Sequence, residues 1–119
     1  MNLTVVAGAR PNFMKIAPII HAINKAKNLG KNIQYRLVHT GQHYDDNMSK
    51  IFFDEMDIPK PNYNLNINAV SHGAMTGRML EEIEKVLLQE KPDVVLVYGD
   101  TNSTLAGALA ASKLHIPVA

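Results

Sequence analysis

A chain of 119 residues, 46% of them hydrophobic, can build the core of a single domain. Its formal net charge of +1 favours neither nucleic acid nor an anionic membrane, and the absence of cysteine excludes disulfides, thiolate metal sites and thiol nucleophiles. No stretch approaches the roughly 20 apolar residues of a transmembrane helix. The start MNLTVVAG lacks the basic leader of a signal peptide, so the expectation is a soluble, cytoplasmic domain.

The first element is the apolar run Leu3 to Ala7, which suits a strand buried on both faces. Phe13, Ile16, Ala17, Ile20 and Ile23 then recur at helical spacing, and Gly30 ends that run. Pro18 falls inside it. A proline there costs about 3 kcal/mol. The expectation is therefore one turn from Asn12 to Ala17 with the main helix starting near Pro18, or a helix kinked at that point. Ile33 to His39 is a second, more mixed strand. Met48, Ile51, Phe52 and Met56 form another apolar stripe, stopped before Pro59. Tyr63 to Ile67 alternates, as a short edge strand or an extended loop would. Met75, Met79, Ile83, Val86 and Leu87 mark a further helix, with Ser71 a possible N-cap and Pro92 just past its end. Asp93 to Tyr98 is a third buried strand. Thr101 to Leu114 is a helix whose small residues let it lie close to a sheet. Ile116 to Ala119 begins a last strand.

This alternation of strands and helices predicts an α/β fold, a Rossmann-like, doubly wound and mostly parallel sheet. In such sheets ligands sit beyond the carboxyl ends of the strands. Three turns there carry chemistry.

The first is GARPNFMK. Gly8 permits close approach of a ligand to the backbone. Arg10 offers a fork matched to phosphate, and Lys15 adds a second positive charge. Cations belong at the far end of a helix, because its start is already positive. Their presence here points to an anion site, weighed against a merely solvated basic helix start. The second turn is HTGQHYDDN. Gln42 and His43 could bond a polar ligand or simply keep the loop polar, and Asp45 or Asp46 could cap the next helix. His39 reads as a partly buried strand residue rather than a metal ligand. The third is YGDTNST. Thr101, Ser103 and Thr104 can donate to an anion at a helix start. Asp100 would repel phosphate, so it is either a helix cap or a carboxylate aimed at a sugar hydroxyl or a reacting proton. There is no Walker A motif, no G-x-G-x-x-G and no G-x-S-x-G elbow, which argues against common nucleotide hydrolysis, dinucleotide redox chemistry and esterase chemistry. The residues alone indicate a domain binding a phosphorylated, nucleotide-like ligand.

GARPNFMKIAP, HTGQHYDDNM and VVLVYGDTNSTLAGALAASKLHIPVA, in that order and spacing, resemble the non-hydrolysing UDP-N-acetylglucosamine 2-epimerases. The resemblance implies the N-terminal domain of a GT-B-like two-domain enzyme, with the active site in the cleft between the domains and a homodimer as the usual assembly. On this basis residues 1–119 are an incomplete N-terminal domain that lacks the second, UDP-binding one, and are inactive alone. The implied activity interconverts UDP-N-acetylglucosamine and UDP-N-acetylmannosamine for surface polysaccharides, with no metal or redox cofactor. A base removes the C2 proton while UDP leaves C1, giving 2-acetamidoglucal, and UDP adds back after reprotonation on the other face. Arg10 and Lys15 fall on the family's basic motif and Asp100 on its active-site aspartate. Gln42 and His43 match a pair that in some members belongs to a regulatory UDP-sugar site. The competing expectations are a GT-B glycosyltransferase domain and a non-catalytic nucleotide-sugar-binding module.

Overall fold

In a computed structural model, residues 1–8, 10–40, 61–65, 67, 71–99 and 101–119 are described, apart from the side chains of residues 10–13. Everything below concerns those residues. The expected helix over Met48 to Met56 lies outside them.

Strand β1 (Asn2–Ala7) leads into helix α1 (Arg10–Asn28), and β2 (Gln34–His39) follows. After them come β3 (Tyr63–Asn64), α2 (His72–Glu90), β4 (Val94–Leu96) and α3 (Asn102–Lys113). The sheet order is β3-β2-β1-β4, and every pairing is parallel. β1 pairs with β2 from Asn2↔Gln34 to Ala7↔His39, and with β4 from Leu3↔Val94 to Val5↔Leu96. Beyond β4, Val118 makes a parallel bridge with Val95. The spatial sequence 3-2-1-4, with the Val118 segment next, is the Rossmann order.

The alternation of β1 sends its side chains into two cores. Val5 and Ala7 pack with Ile16, Ala17, Ile20 and Leu37 under α1. Val6 faces the other way, into Met75, Met79, Ile83, Val95, Ala106 and Ala110 under α2 and α3. Helices therefore cover both faces, which is why β1 reads as a continuous apolar run rather than an alternating one. Gly107 explains how closely α3 sits. A Cβ there would lie 3.1 Å from Val97 Cγ1 and 3.3 Å from Val6 Cβ.

The structure refines the sequence expectations at three places. α1 is a single helix that runs through Pro18, so of the two expected forms the one with the main helix starting near Pro18 does not occur. Pro18 and Met14 are both exposed, so the Met14 carbonyl that loses its helical donor can bond water instead. β4 ends at Leu96 rather than Tyr98: Val97 still bonds the Ala119 carbonyl on the outer side, but Gly99, at φ 91°, swings the chain out of the sheet. Ile116 to Ala119 does begin a strand, Val118 bridging Val95 in parallel with backbone bonds from Val95 to Pro117, Ala119 to Val95 and Val97 to Ala119. Elsewhere the expectations hold. Tyr63–Asn64 is a short edge strand. Ser71 caps α2, its side chain accepting from the Ala74 N–H at 3.2 Å. Lys91, at φ 48°, closes α2 before Pro92 with its N–H on the Leu87 carbonyl. No helix is long and apolar enough to cross a membrane.

Candidate functional site at the switch point of the sheet

The chain leaves β1 toward α1 on one face and leaves β4 toward α3 on the other. Adjacent parallel strands whose connections depart to opposite faces open a crevice at their carboxyl ends. That crevice is the usual ligand position of a doubly wound sheet. Two of the three turns singled out from sequence flank it, those after β1 and after β4. The third follows β2, next to β1.

The crevice floor is built from Gly8, Thr40 and Ser103. Thr40 extends β2, its N–H on the Ala7 carbonyl at 3.0 Å and its own carbonyl accepting from Ile67 at 2.8 Å. Its hydroxyl lies 2.9 Å from the Ser103 hydroxyl, and both residues are fully buried. Ser103 Oγ also donates to Met79 Sδ of α2 at 3.7 Å. A Cβ built on Gly8 would overlap both hydroxyl oxygens. Glycine is therefore required at position 8 by the packing of these turns. This is a second demand on position 8, beside the expected close approach of a ligand to its backbone. Ser103, expected to donate to an anion, likewise lies beneath the surface with its hydroxyl held by Thr40 and Met79. Thr40 was not singled out from sequence. The one available signal was its place, a hydroxyl residue between a strand end and Gly41.

Above the floor, α3 begins with a self-contained hydroxyl turn. Thr101 is the N-cap, and its side chain accepts from the Thr104 N–H at 3.4 Å. Thr104 Oγ1 donates to the Tyr98 carbonyl at 2.9 Å. The capping position of α3 is thus filled by Thr101. Asn102 braces this turn against α2, its Nδ2 lying 3.1 Å from His72 Nδ1 and 3.7 Å from Met75 Sδ. Opposite, α1 starts at Arg10 with no acidic residue in its first turn. Lys15, further along α1, is exposed beside buried Ile16. Neither α1 nor α3 carries an acidic residue in its first turn, so the positive ends of both helices meet the crevice edge without a carboxylate from those turns, which favours an anion there.

His39 closes β2 and is 3% exposed. Burial lowers its pKa to about 4, so it is neutral at pH 7 and is part of the framework, as expected from sequence. Asp100, Gln42 and His43 lie outside the described residues. A separate open cleft lies at the other end of the sheet, lined by Asn2, Thr4, Gln34, Arg36 and Glu90 among others. There Arg36 pairs with Glu90 at 3.6 Å, and the Tyr63 hydroxyl donates to the same carboxylate.

The sheet order and the helices on both faces define a Rossmann-like α/β domain with a crevice at its switch point. Comparison with known proteins narrows this. A family model described as UDP-N-acetylglucosamine 2-epimerase matches residues 25–119. The chain belongs to that family. It is 57% identical over all 119 residues to UDP-N-acetylglucosamine 2-epimerase of Methanocaldococcus jannaschii, 31% of which it spans. A crystal structure of the M. jannaschii enzyme in complex with UDP-GlcNAc and UDP superposes with a TM-score of 0.91, covering 100% of this chain and 32% of that one. The chain is also 59% identical over 119 residues to UDP-2,3-diacetamido-2,3-dideoxy-D-glucuronate 2-epimerase of Pseudomonas aeruginosa, spanning 32% of it. It thus spans about a third of the length of these relatives.

Proposed function

We propose that these residues form the N-terminal, Rossmann-like part of an isomerase that epimerises C2 of a UDP-2-acetamido sugar, UDP-N-acetylglucosamine being the first substrate to test. The observation that carries this reading is 57% identity, end to end, with an enzyme whose structure holds UDP-GlcNAc and UDP. It is supported by the switch-point crevice, which presents helix starts where a pyrophosphate would be received. Arg10 and Lys15 supply charge to the departing UDP. Thr101 and Thr104 line the α3 side, Gly8 and Ser103 support the floor, and Asp100 is the carboxylate nearest in sequence to the α3 start. Gln42 and His43 extend the UDP-sugar contacts from the β2 turn.

The reaction is elimination and re-addition. A base takes the C2 proton, the C1–O bond to UDP breaks, and a C1=C2 double bond forms. Reprotonation of C2 on the opposite face and return of the UDP oxygen to C1 give the epimer. The chemistry balances with no metal or redox partner. The second domain, a homodimer, a cytoplasmic location and a place in surface polysaccharide synthesis belong to the same proposal. So does the inactivity of the 119 residues taken alone.

The 59% identity with the P. aeruginosa enzyme favours one second reading, a UDP-2,3-diacetamido uronic acid as substrate. The C2 chemistry is the same, and the difference lies in what recognises C3 and C6. The test uses the full-length protein that carries these residues. It is incubated in D₂O with each UDP-sugar, and deuterium at C2 and the C2 epimer are followed. Exchange and epimer with one substrate choose between the readings. Sugar transfer to an acceptor without C2 exchange would indicate a glycosyltransferase. Tight binding without exchange would indicate a binding module.

A further inference from the structure

We propose that the buried Thr40–Ser103 hydroxyl pair is a positioning device that sets the width of the switch-point crevice. The proposal rests on the epimerase reading for its catalytic readout, but its geometry stands by itself. Thr40 belongs to the end of β2, Ser103 to the first turn of α3, and Gly8 to the exit of β1 just before α1. The two hydroxyls meet at 2.9 Å across 63 residues of sequence. They leave no room for a side chain on Gly8, so the β1 exit is seated directly against them. Ser103 Oγ donates a hydrogen bond to Met79 Sδ, which anchors the pair to α2. Thr40 is fixed in turn by backbone bonds to Ala7 on one side and Ile67 on the other. The starts of α1 and α3 are thus joined through one small, solvent-free contact.

The functional consequence follows from the chemistry. Elimination needs the leaving diphosphate and the C2 proton held at fixed separation from groups on two different helices. A displacement of about 1 Å can lower a rate roughly 100-fold. Thr40 and Ser103 touch no substrate. They act through Gly8 and the α1 start on one side and Thr101 and Thr104 on the other. A valine at position 40 keeps the volume but loses the bond, whereas a serine keeps the bond.

The test uses the full-length protein with Thr40→Val, Thr40→Ser, Ser103→Ala and the Thr40→Val/Ser103→Ala pair. Three quantities are measured: kcat and KM for C2 epimerisation of UDP-N-acetylglucosamine, thermal unfolding, and amide hydrogen exchange in peptides covering residues 8–16 and 101–106. The expected result is that Thr40→Val lowers kcat roughly 10- to 100-fold with KM little changed. Exchange should speed up in both peptides together, Thr40→Ser should recover both readouts, and the double variant should be no worse than the worse single one. Wild-type kcat and unchanged exchange in a Thr40→Val protein that merely melts earlier would overturn the proposal. If Thr40→Val does not fold, Ser103→Ala is read in the same way, and wild-type kcat there would overturn it. A wild-type protein that fails to epimerise either UDP-sugar overturns the catalytic reading instead. The exchange comparison then decides the positioning role alone: joint acceleration supports it, and unchanged exchange at both helix starts overturns it.

Discussion

His39 shows how a single buried side chain sets a pH limit. Its folded pKa is about 4, against 6.5 for the free side chain, because burial penalises the imidazolium. Between those values the unfolded chain binds a proton that the native chain does not. Stability is therefore full above about pH 6.5 and falls as the pH is lowered toward 4, by on the order of 3 kcal/mol in all. Urea unfolding at about pH 7 and about pH 4.5 should show this loss, and a His39→Gln variant should show a smaller one. Gly8→Ala should be a severe substitution for a different reason. The added methyl would displace two buried hydroxyls that are already bonded to each other, with a cost of about 3 kcal/mol in denaturant unfolding. Asp100→Asn separates two readings of one carboxylate. Thr101 holds the cap, so the substitution should leave the melting temperature nearly unchanged while C2 epimerisation by the full-length protein is lost. Retained turnover would remove Asp100 from the chemistry.

Among the elements, α1 and α3 make opposite uses of residues that disfavour helices. Pro18 sits mid-helix at an exposed position and packs nothing into the core. Pro18→Ala should restore the missing helical bond and raise stability by about 1–3 kcal/mol, as measured by the shift in urea midpoint. Gly107, in contrast, is where α3 rests on Val6 and Val97. Gly107→Leu should lift the helix and lower stability by about 3 kcal/mol or more. These cases mark how far sequence reasoning reaches. The strands Leu3 to Ala7 and Asp93 to Tyr98 were legible because burial on both faces leaves a continuous apolar run. The small residues of α3 announced its close seating. The sequence left open whether α1 breaks at Pro18 or passes through it, because what permits passage is solvent around Met14 and Pro18, a tertiary fact. Ser103 was legible only in part. A hydroxyl in the first turn of a helix looks like a ligand contact, and only Thr40, brought from 63 residues away, makes it a buried joint.

At the scale of the whole molecule, the sheet order places the expected site more firmly than any motif does. Once β1 lies between β2 and β4, the exits of β1 and β4 must flank one crevice, and both had been singled out for their chemistry. What sequence could not supply was the floor beneath them, since Gly8, Thr40 and Ser103 meet only after the sheet has closed. The same order has a cost during synthesis. β1 is the first element made and the most central in space, yet Asn2 and Leu3 meet Asp93 and Val94 only some ninety residues later. At roughly 5–20 residues per second, a ribosome needs on the order of 5–20 s to supply that partner. For the part of that interval after β2 is made, β1 has β2 on one side and an open edge on the other. The central strand that makes the finished domain stable thus makes the growing chain a client for chaperones, and faster elongation through residues 40–94 should raise its soluble yield.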